Sequence, residues 1–311
     1  MSEDGFKNTK SRMLELFSEL DESELKDVEQ WITSQSYKKD LDQKRTLLNL
    51  EKNLLKIGNT IKKIVPFDAE MTSENIVPPK IGDQSDCNKT NTCHVDEFLY
   101  DDDEVEKLVK VGKLKRHYCL ECNSRNVKEL MYISHSMSRQ ALQYIFKVLL
   151  PKDLEDKQVL DVGSRLGAVI YGAYYFSNAG TIIGIEMNKE CCEVQERIIN
   201  QYSMDNNRIK VISSDVMERI DVVTSSDVII INILDFFVDS EKHKNMWYFF
   251  KKHIKKGSYI VCNRNMQETL MNLDVVEEFL NWLSVCKPNQ LENEVFFDIE
   301  DCSDLYLYAV N

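Results

Sequence analysis

A chain of 311 residues, 43% hydrophobic and 29% charged, has the length of two ordinary domains and the composition expected of a soluble globular protein. The formal net charge of -13 argues against a general nucleic-acid coating role, because non-specific affinity for DNA or RNA comes largely from neutralising phosphates. No apolar run approaches the ~18 residues that span a bilayer, and the polar opening MSEDGFKNTK lacks the apolar core of a signal peptide. Cytoplasm or nucleus is therefore the expected location, with no membrane partner, and the nine cysteines are expected as thiols or metal ligands rather than disulfides.

Residues 1–65 read as a helical N-terminal region. A first helix near Ser11 to Leu20 is followed by Asp21 and Glu24, a capping-box-like start for a second helix that carries Leu25, Val28, Trp31 and Ile32 on one face. In a third, Leu47, Leu50, Leu54, Ile57, Ile61 and Ile64 recur at steps of three and four. This a/d seam is shorter than the ~3 to 4 heptads of a coiled coil, and Gly58 interrupts it, so a folded helical hairpin is preferred to a dimerising coiled coil. Oligomerisation through these helices stays open. From 66 to 92 the periodicity disappears, and Pro78-Pro79, Gly82 and the polar run around Asp83, Ser85, Asn88 and Asn91 mark a linker or surface loop.

Residues 93–138 form a small Cys-rich block. Cys119-Leu120-Glu121-Cys122 is a C-x-x-C step, with Cys93-His94 upstream and Cys87 and His117 nearby. Zinc takes four soft or borderline ligands in a tetrahedron, and a C-x-x-C knuckle supplies two of them. The expected set is Cys93, His94, Cys119 and Cys122, with Cys87 or His117 as alternative fourth ligands, in a zinc-ribbon-like block that would gain folding free energy from structural zinc. Ordinary thiols and a redox dithiol compete with this reading, although a thioredoxin-type motif belongs near the start of a βαβ unit. Asp101 to Glu104 are expected to favour the positive end of a helix at Val105 to Val111. Lys107, Lys110, Lys113, Lys115, Arg116, Arg125 and Lys128 give a locally basic face, which is either a solvated surface or a guide for an acidic or RNA substrate. Ser138 is placed to cap a helix over Arg139 to Leu150.

Residues 139–311 alternate between strand and helix patterns, which predicts a mostly parallel α/β sheet. Its centre is Val159 to Asn188, reading strand, glycine turn, helix, strand and acid. Gly163 and Gly167 suit the abrupt passage from strand to helix. Glu186, ending the second strand, offers two carboxylate oxygens that can accept from a ribose diol. A dinucleotide fingerprint would need glycine where Arg165 stands, so that match is poor. Further strands are expected at Ile209 to Ile212, Val228 to Ile233 and Ser258 to Cys262. A helix over Lys242 to Lys255 stops at Gly257. A helix over Val275 to Val285 and two β-rich runs, Glu294 to Ile299 and Leu305 to Val310, close the chain.

With Asp161 ahead of the first glycine, the D-x-G-x-x-x-G pattern resembles motif I of the class I S-adenosylmethionine-dependent methyltransferases, and the likeness runs over roughly residues 139 to 311. It implies a Rossmann-like seven-stranded sheet closed by an antiparallel pair, and S-adenosylmethionine as cofactor. It further implies that Asp161 contacts the cofactor's amino acid part directly or through water, that Glu186 binds ribose, and that Asp215 lies near the adenine amino group. Asn232 to Phe237 would be the variable motif IV facing the transferable methyl, with Asn232 and Asp235 orienting an acceptor and Phe236 and Phe237 either aromatic walls or core. The family's usual glycine at the middle of the turn is Arg165 here, which either narrows the pocket or reaches a substrate group. In the family the segment before motif I often closes over the cofactor, which makes His135 a candidate pocket residue; a lone histidine is more often structural. The combination of CHVDEFLY, C-x-x-C and ISHS segments ahead of DVGSRLG is similar to animal methyltransferase-like proteins.

Motif IV lacks the D/N-P-P-Y of enzymes acting on exocyclic nucleobase amines or glutamine amides, so protein, small-molecule and other RNA acceptors stay open, with a protein preferred. The competing functions are a catalytically inactive methyltransferase-fold partner subunit, which Arg165 permits, and a zinc-dependent RNA-binding module.

Overall fold

The computed structural model describes residues 3–79, 84–121, 126–232, 234 and 236–311. Residues 1–49 and 50–311 form two compact units. The first holds α1 (Glu3–Ser18), α2 (Glu22–Thr33) and the start of α3 (Tyr37–Ile61). The expected capping box exists: Asp21 Oδ1 accepts from Glu24 N at 2.9 Å and Glu24 Oε2 from Asp21 N at 2.9 Å, satisfying N–H groups the first turn otherwise orphans. No residue of α2 is buried.

In the second unit the end of α3 contributes Leu54, Ile57 and Ile61 to the main core, the seam expected from their spacing. The stretch 93–138 contains β1 (Thr92–His94), α4 (Asp102–Lys110), β2 (His117–Cys119), β3 (Val127–Glu129) and β4 (Met131–Ile133), with β1 parallel to β4 and β2 antiparallel to β3. Asp101 and Glu104 form a second capping box on α4. Ser138 Oγ accepts from Ala141 N at 3.1 Å and so caps α5 (Arg139–Tyr144), which then widens into a π turn over Ile145–Leu149 instead of continuing as α-helix to Leu150.

Then come β5 (Gln158–Val162), α6 (Ala168–Phe176), β6 (Thr181–Glu186), α7 (Lys189–Gln201), β7 (Ile209–Ser213), α8 (Ile220–Ser225), β8 (Val228–Ile231), α9 (Ser240–His253), β9 (Tyr259–Cys262), α10 (Met266–Asn272), β10 (Leu283–Val285) and β11 (Tyr306–Val310). The seven-stranded sheet runs β10-β11-β9-β8-β5-β6-β7, with β11 alone reversed and paired antiparallel to both β9 and β10, and is the Rossmann-like sheet expected. All four residues of β8 are buried, as expected of a central parallel strand covered on both faces. Among the described residues no helix is long and apolar enough to cross a membrane.

The last segment departs from expectation. Residues 294–299 are not a strand; Leu291–Phe296 is a 3-10 turn, and the closing antiparallel pair is β10 with β11. The reason is local and polar. Gln290 Nε2 donates to Leu150 O at 2.8 Å and Asn293 Nδ2 to Lys147 O at 2.6 Å, satisfying carbonyls at the end of the π turn. The helix expected over Val275 to Val285 is divided among a 3-10 turn at Val276–Phe279 and β10, with Asp274 and Asn281 in the left-handed region at φ 56° and 64° as the chain turns.

Candidate cofactor site

Strand order reverses beside β5, with β6 and β7 on one side and β8 and β9 on the other. Such a switch point leaves a crevice outside the carboxyl ends of the strands. A cavity of about 620 Å³ lies there, bounded by the turn after β5 and the loops after β6, β7 and β8. Its size is within the ~300–1,000 Å³ of small-molecule and cofactor sites.

The turn is built by its glycines. Gly163, at φ 73°, lines the cavity, and a Cβ there would meet no atom within 4 Å, so the backbone is open to close approach by a ligand. Gly167, at φ 86°, does not line it; a Cβ there would come within 2.6 Å of the Tyr171 ring, so this glycine serves packing at the start of α6. Asp161 also lies behind the turn, 2% exposed, with Oδ2 lacking a hydrogen-bond partner among the described residues. Burial, reinforced by the Glu186 charge, pushes its carboxyl well above the usual range.

Arg165 occupies the position where glycine was expected, and it adopts a glycine-like φ of 43°. That conformation costs a non-glycine residue about 1–2 kcal/mol. Arg165 lines the cavity, and its side chain is fully engaged: Nε donates to Glu74 Oε1 at 2.7 Å, Nη2 to Glu74 Oε2 at 3.0 Å and also to Ala69 O, and Nη1 to Asp96 Oδ2 at 3.3 Å. Burial alone would lower the Arg165 pKa, but the Glu74 bond and charge outweigh it and raise it. Burial pushes Asp96 up against the opposing pull of Arg165 and of the Ser136 hydroxyl, which donates at 2.6 Å.

These bonds draw residues 69–77, within the stretch read as a linker, across the mouth of the sheet. Thr72 donates to Glu190, Ser73 Oγ accepts from Asn188 Nδ2 at 2.8 Å and has its single proton within reach of Glu190 Oε2 at 2.8 Å and Asn188 Oδ1 at 3.1 Å, and Val77 N donates to Phe236 O at 3.0 Å. Ser73, Glu74 and Asn75 thereby line the cavity. None carries a motif of its own; the single sequence signal for this strap was an arginine in a glycine position, which needs acceptors from elsewhere.

Glu186 stands at the cavity end of β6. Oε2 accepts from Arg165 N at 2.8 Å and Oε1 from Asn188 N at 2.7 Å. Burial raises its pKa while those two N–H groups hold it down. Asp215 lines the cavity after β7, with Oδ2 accepting from Lys242 Nζ at 2.9 Å, a cation that no sequence motif marks. Asn232 lines it after β8 and donates to His135 O at 3.1 Å; Asp235 lies outside the described residues. His135 is a cavity residue too, its ring packed edge-on against Phe236 and Phe237 at 5.2 and 5.0 Å. Burial, then the Arg165 and His94 charges, lower its pKa to about 3. Phe236 is core at 2% exposed, whereas Phe237 lines the cavity.

The expected zinc set is not assembled among the described residues. They contain no group of three or more His, Cys, Asp or Glu side chains able to hold a metal, and Cys122 lies outside them. His94 directs Nδ1 to His135 Nε2 at 3.0 Å and Nε2 to Glu70 Oε1 at 3.4 Å, so both ring nitrogens are engaged. Cys93 is in β1 and Cys119 ends β2, strands of two separate small sheets.

A second cleft of about 820 Å³ adjoins the cavity beyond β8 and β9, and Asn75, Phe237 and Val238 line both. A mostly parallel sheet closed by an antiparallel pair, a glycine turn after its central strand and an acid at the end of the next define a class I S-adenosylmethionine-dependent methyltransferase. The chain belongs to the O-methyltransferase family, whose profile matches residues 110–279. Similar solved structures include an RNA methyltransferase from Salinibacter ruber in complex with S-adenosylhomocysteine, at 15% identity over 36% of this chain and 66% of that one, TM-score 0.30. A putative O-methyltransferase from Klebsiella pneumoniae shares 13% identity over 58% of this chain and 83% of its own, TM-score 0.37. An O-methyltransferase from Bacillus cereus in complex with S-adenosylhomocysteine shares 13% over 58% and 84%, TM-score 0.37. Comparison with curated protein sequences gave no match.

Proposed function

We propose that the protein binds S-adenosylmethionine in the cavity at the switch point and methylates a protein acceptor presented through the adjoining cleft. The observation that carries the cofactor reading is Glu186, whose carboxylate is held at the cavity by two backbone N–H groups with lone pairs to spare for the ribose hydroxyls. Gly163 leaves the backbone open to the cofactor's amino acid part, and Asp215 with Lys242 would border its base. Arg165 lines the cavity with its guanidinium engaged by Glu74, Asp96 and Ala69, which supports the active reading over the inactive one.

The sulfonium supplies an activated methyl when the cofactor is bound. The chain's own contribution is then alignment, worth several kcal/mol where the reacting atoms are held about 3–3.5 Å apart. Asn232, fixed by His135 O, and Phe237, which borders both spaces, are the residues that would orient the acceptor.

A macromolecular acceptor is supported by residues 1–49, where Phe6, Leu14, Leu16 and Trp31 are exposed at 61%, 58%, 62% and 43%. Exposed apolar groups in such number favour a partner surface, for a substrate or a second copy. Incubating cell-extract fractions with the purified protein and methyl-labelled cofactor should put label into protease-sensitive material. Label in nuclease-sensitive or small-molecule fractions would overturn the protein acceptor. Zinc at Cys119 and Cys122 is tested separately, since equal, near-zero metal content in wild type and a Cys119→Ser, Cys122→Ser variant would sink it.

A further inference from the structure

Both oxygens of Glu186 are held by backbone N–H groups, and each of the two donors is itself fixed by the strap. Along one path Glu74 grips the Arg165 guanidinium with both carboxylate oxygens, and Arg165 N donates to Glu186 Oε2. Along the other, Ser73 Oγ accepts from Asn188 Nδ2 at 2.8 Å, and Asn188 N donates to Glu186 Oε1. Glu74 and Arg165 are nearly inaccessible, with side chains 5% and 7% exposed, so their pair is little screened. Ser73 also donates to Glu190 Oε2 at 2.8 Å, tying the strap to the first turn of α7.

We infer that Ser73 and Glu74 are positioning residues for the cofactor ribose, acting through Asn188 and Arg165 to set the orientation of one carboxylate. The inference rests on the reading of Glu186 as the ribose ligand. It adds a part of the site that lies outside residues 110–279, the span matched by the family profile. The turn tolerates arginine in a glycine position because the side chain is what carries the strap's hold to Glu186.

A ligand-by-variant comparison separates positioning from mere shape. Affinities for S-adenosylhomocysteine and for its 2′-deoxy analogue would be measured by calorimetry on the full chain, for wild type, Glu74→Gln, Ser73→Ala and Ser73→Thr. In wild type the missing hydroxyl should weaken binding about tenfold or more, the usual scale for a hydrogen bond to a charged group. In Glu74→Gln and Ser73→Ala that ratio should shrink by about threefold or more, chiefly because the intact ligand weakens, while Ser73→Thr, which keeps the hydroxyl, should restore it. Ser73 is exposed, so its variants test the second path even if Glu74→Gln folds poorly. Equal weakening of both ligands, or an unchanged ratio, would overturn the positioning role alone. A wild type that binds neither ligand would overturn the cofactor reading and this one with it.

Discussion

The cofactor cavity has two walls held by different forces. The turn after β5 rests on Leu160 and Val162 and on β8, all buried, with Tyr171 packed beneath Gly167. The opposite wall, residues 69–77, is anchored at Ala69, Met71 and Ile76 by apolar packing, and its cavity-lining part is held by an ion pair, side-chain hydrogen bonds and one backbone bond to Phe236. Apolar burial is non-directional and indifferent to pH, whereas a buried pair is sensitive to the loss of either partner. The orientation of Glu186 depends on both walls, so the softer one sets its tolerance.

The largest test of that contrast is Arg165→Ala. It keeps the left-handed strain, since alanine also carries a Cβ, and leaves Glu74 and Asp96 buried without their cation, so stability should fall by about 3–5 kcal/mol in urea unfolding. A loss below about 1 kcal/mol would mean that the strap is not held by this pair. On the apolar side, Gly167→Ala combines a positive φ with collision against Tyr171 and should cost about 2–4 kcal/mol with little change in pH dependence.

His135, joined to the polar wall through His94 and Glu70, should carry a pH signature. Its folded value of about 3 lies below the ordinary ~6.5 of histidine, so the neutral form belongs to the folded state. The contribution is fully present above pH ~6.5 and is lost as pH falls towards 3. Between pH 6.5 and 5 the wild type should lose about 2 kcal/mol more than His135→Gln, measured by denaturant midpoints at each pH. Parallel pH curves would remove His135 as the cause. The smallest effect is expected at the exposed outer edge of the strap: Thr72→Val removes a bond to Glu190 and should cost about 0.5 kcal/mol or less, with S-adenosylhomocysteine affinity unchanged. A larger loss would show that the strap's hold extends further out than Ser73.

The apolar wall was legible in the sequence because its signals are local. A buried run, two glycines and a terminal acid fall within Val159 to Asn188, and alternation of strands and helices gave the sheet. The Asp21 and Asp101 caps were legible for the same reason, since a capping box spans only a few residues. The strap was not, because Ser73 and Glu74 are ordinary polar residues whose meaning depends on partners about a hundred positions away, at 115 and 91 residues' separation. The run before the last strand, Glu294 to Ile299, departs from its expectation for a related reason. Glu294 to Ile299 has strand-like composition, but the buried amides of Gln290 and Asn293 commit the preceding turn to the carbonyls of Leu150 and Lys147.

The span of those strap bonds also has a kinetic consequence. The link from Arg165 to Ala69 closes a loop of 96 residues and that to Glu74 one of 91, whereas β5 and β6 are joined through a single helix. Closing a long loop defers its entropic return until both ends are ordered. During refolding, the far-ultraviolet signal of the sheet should therefore recover before the capacity to retain S-adenosylhomocysteine, the last steps of folding being those that aim Glu186.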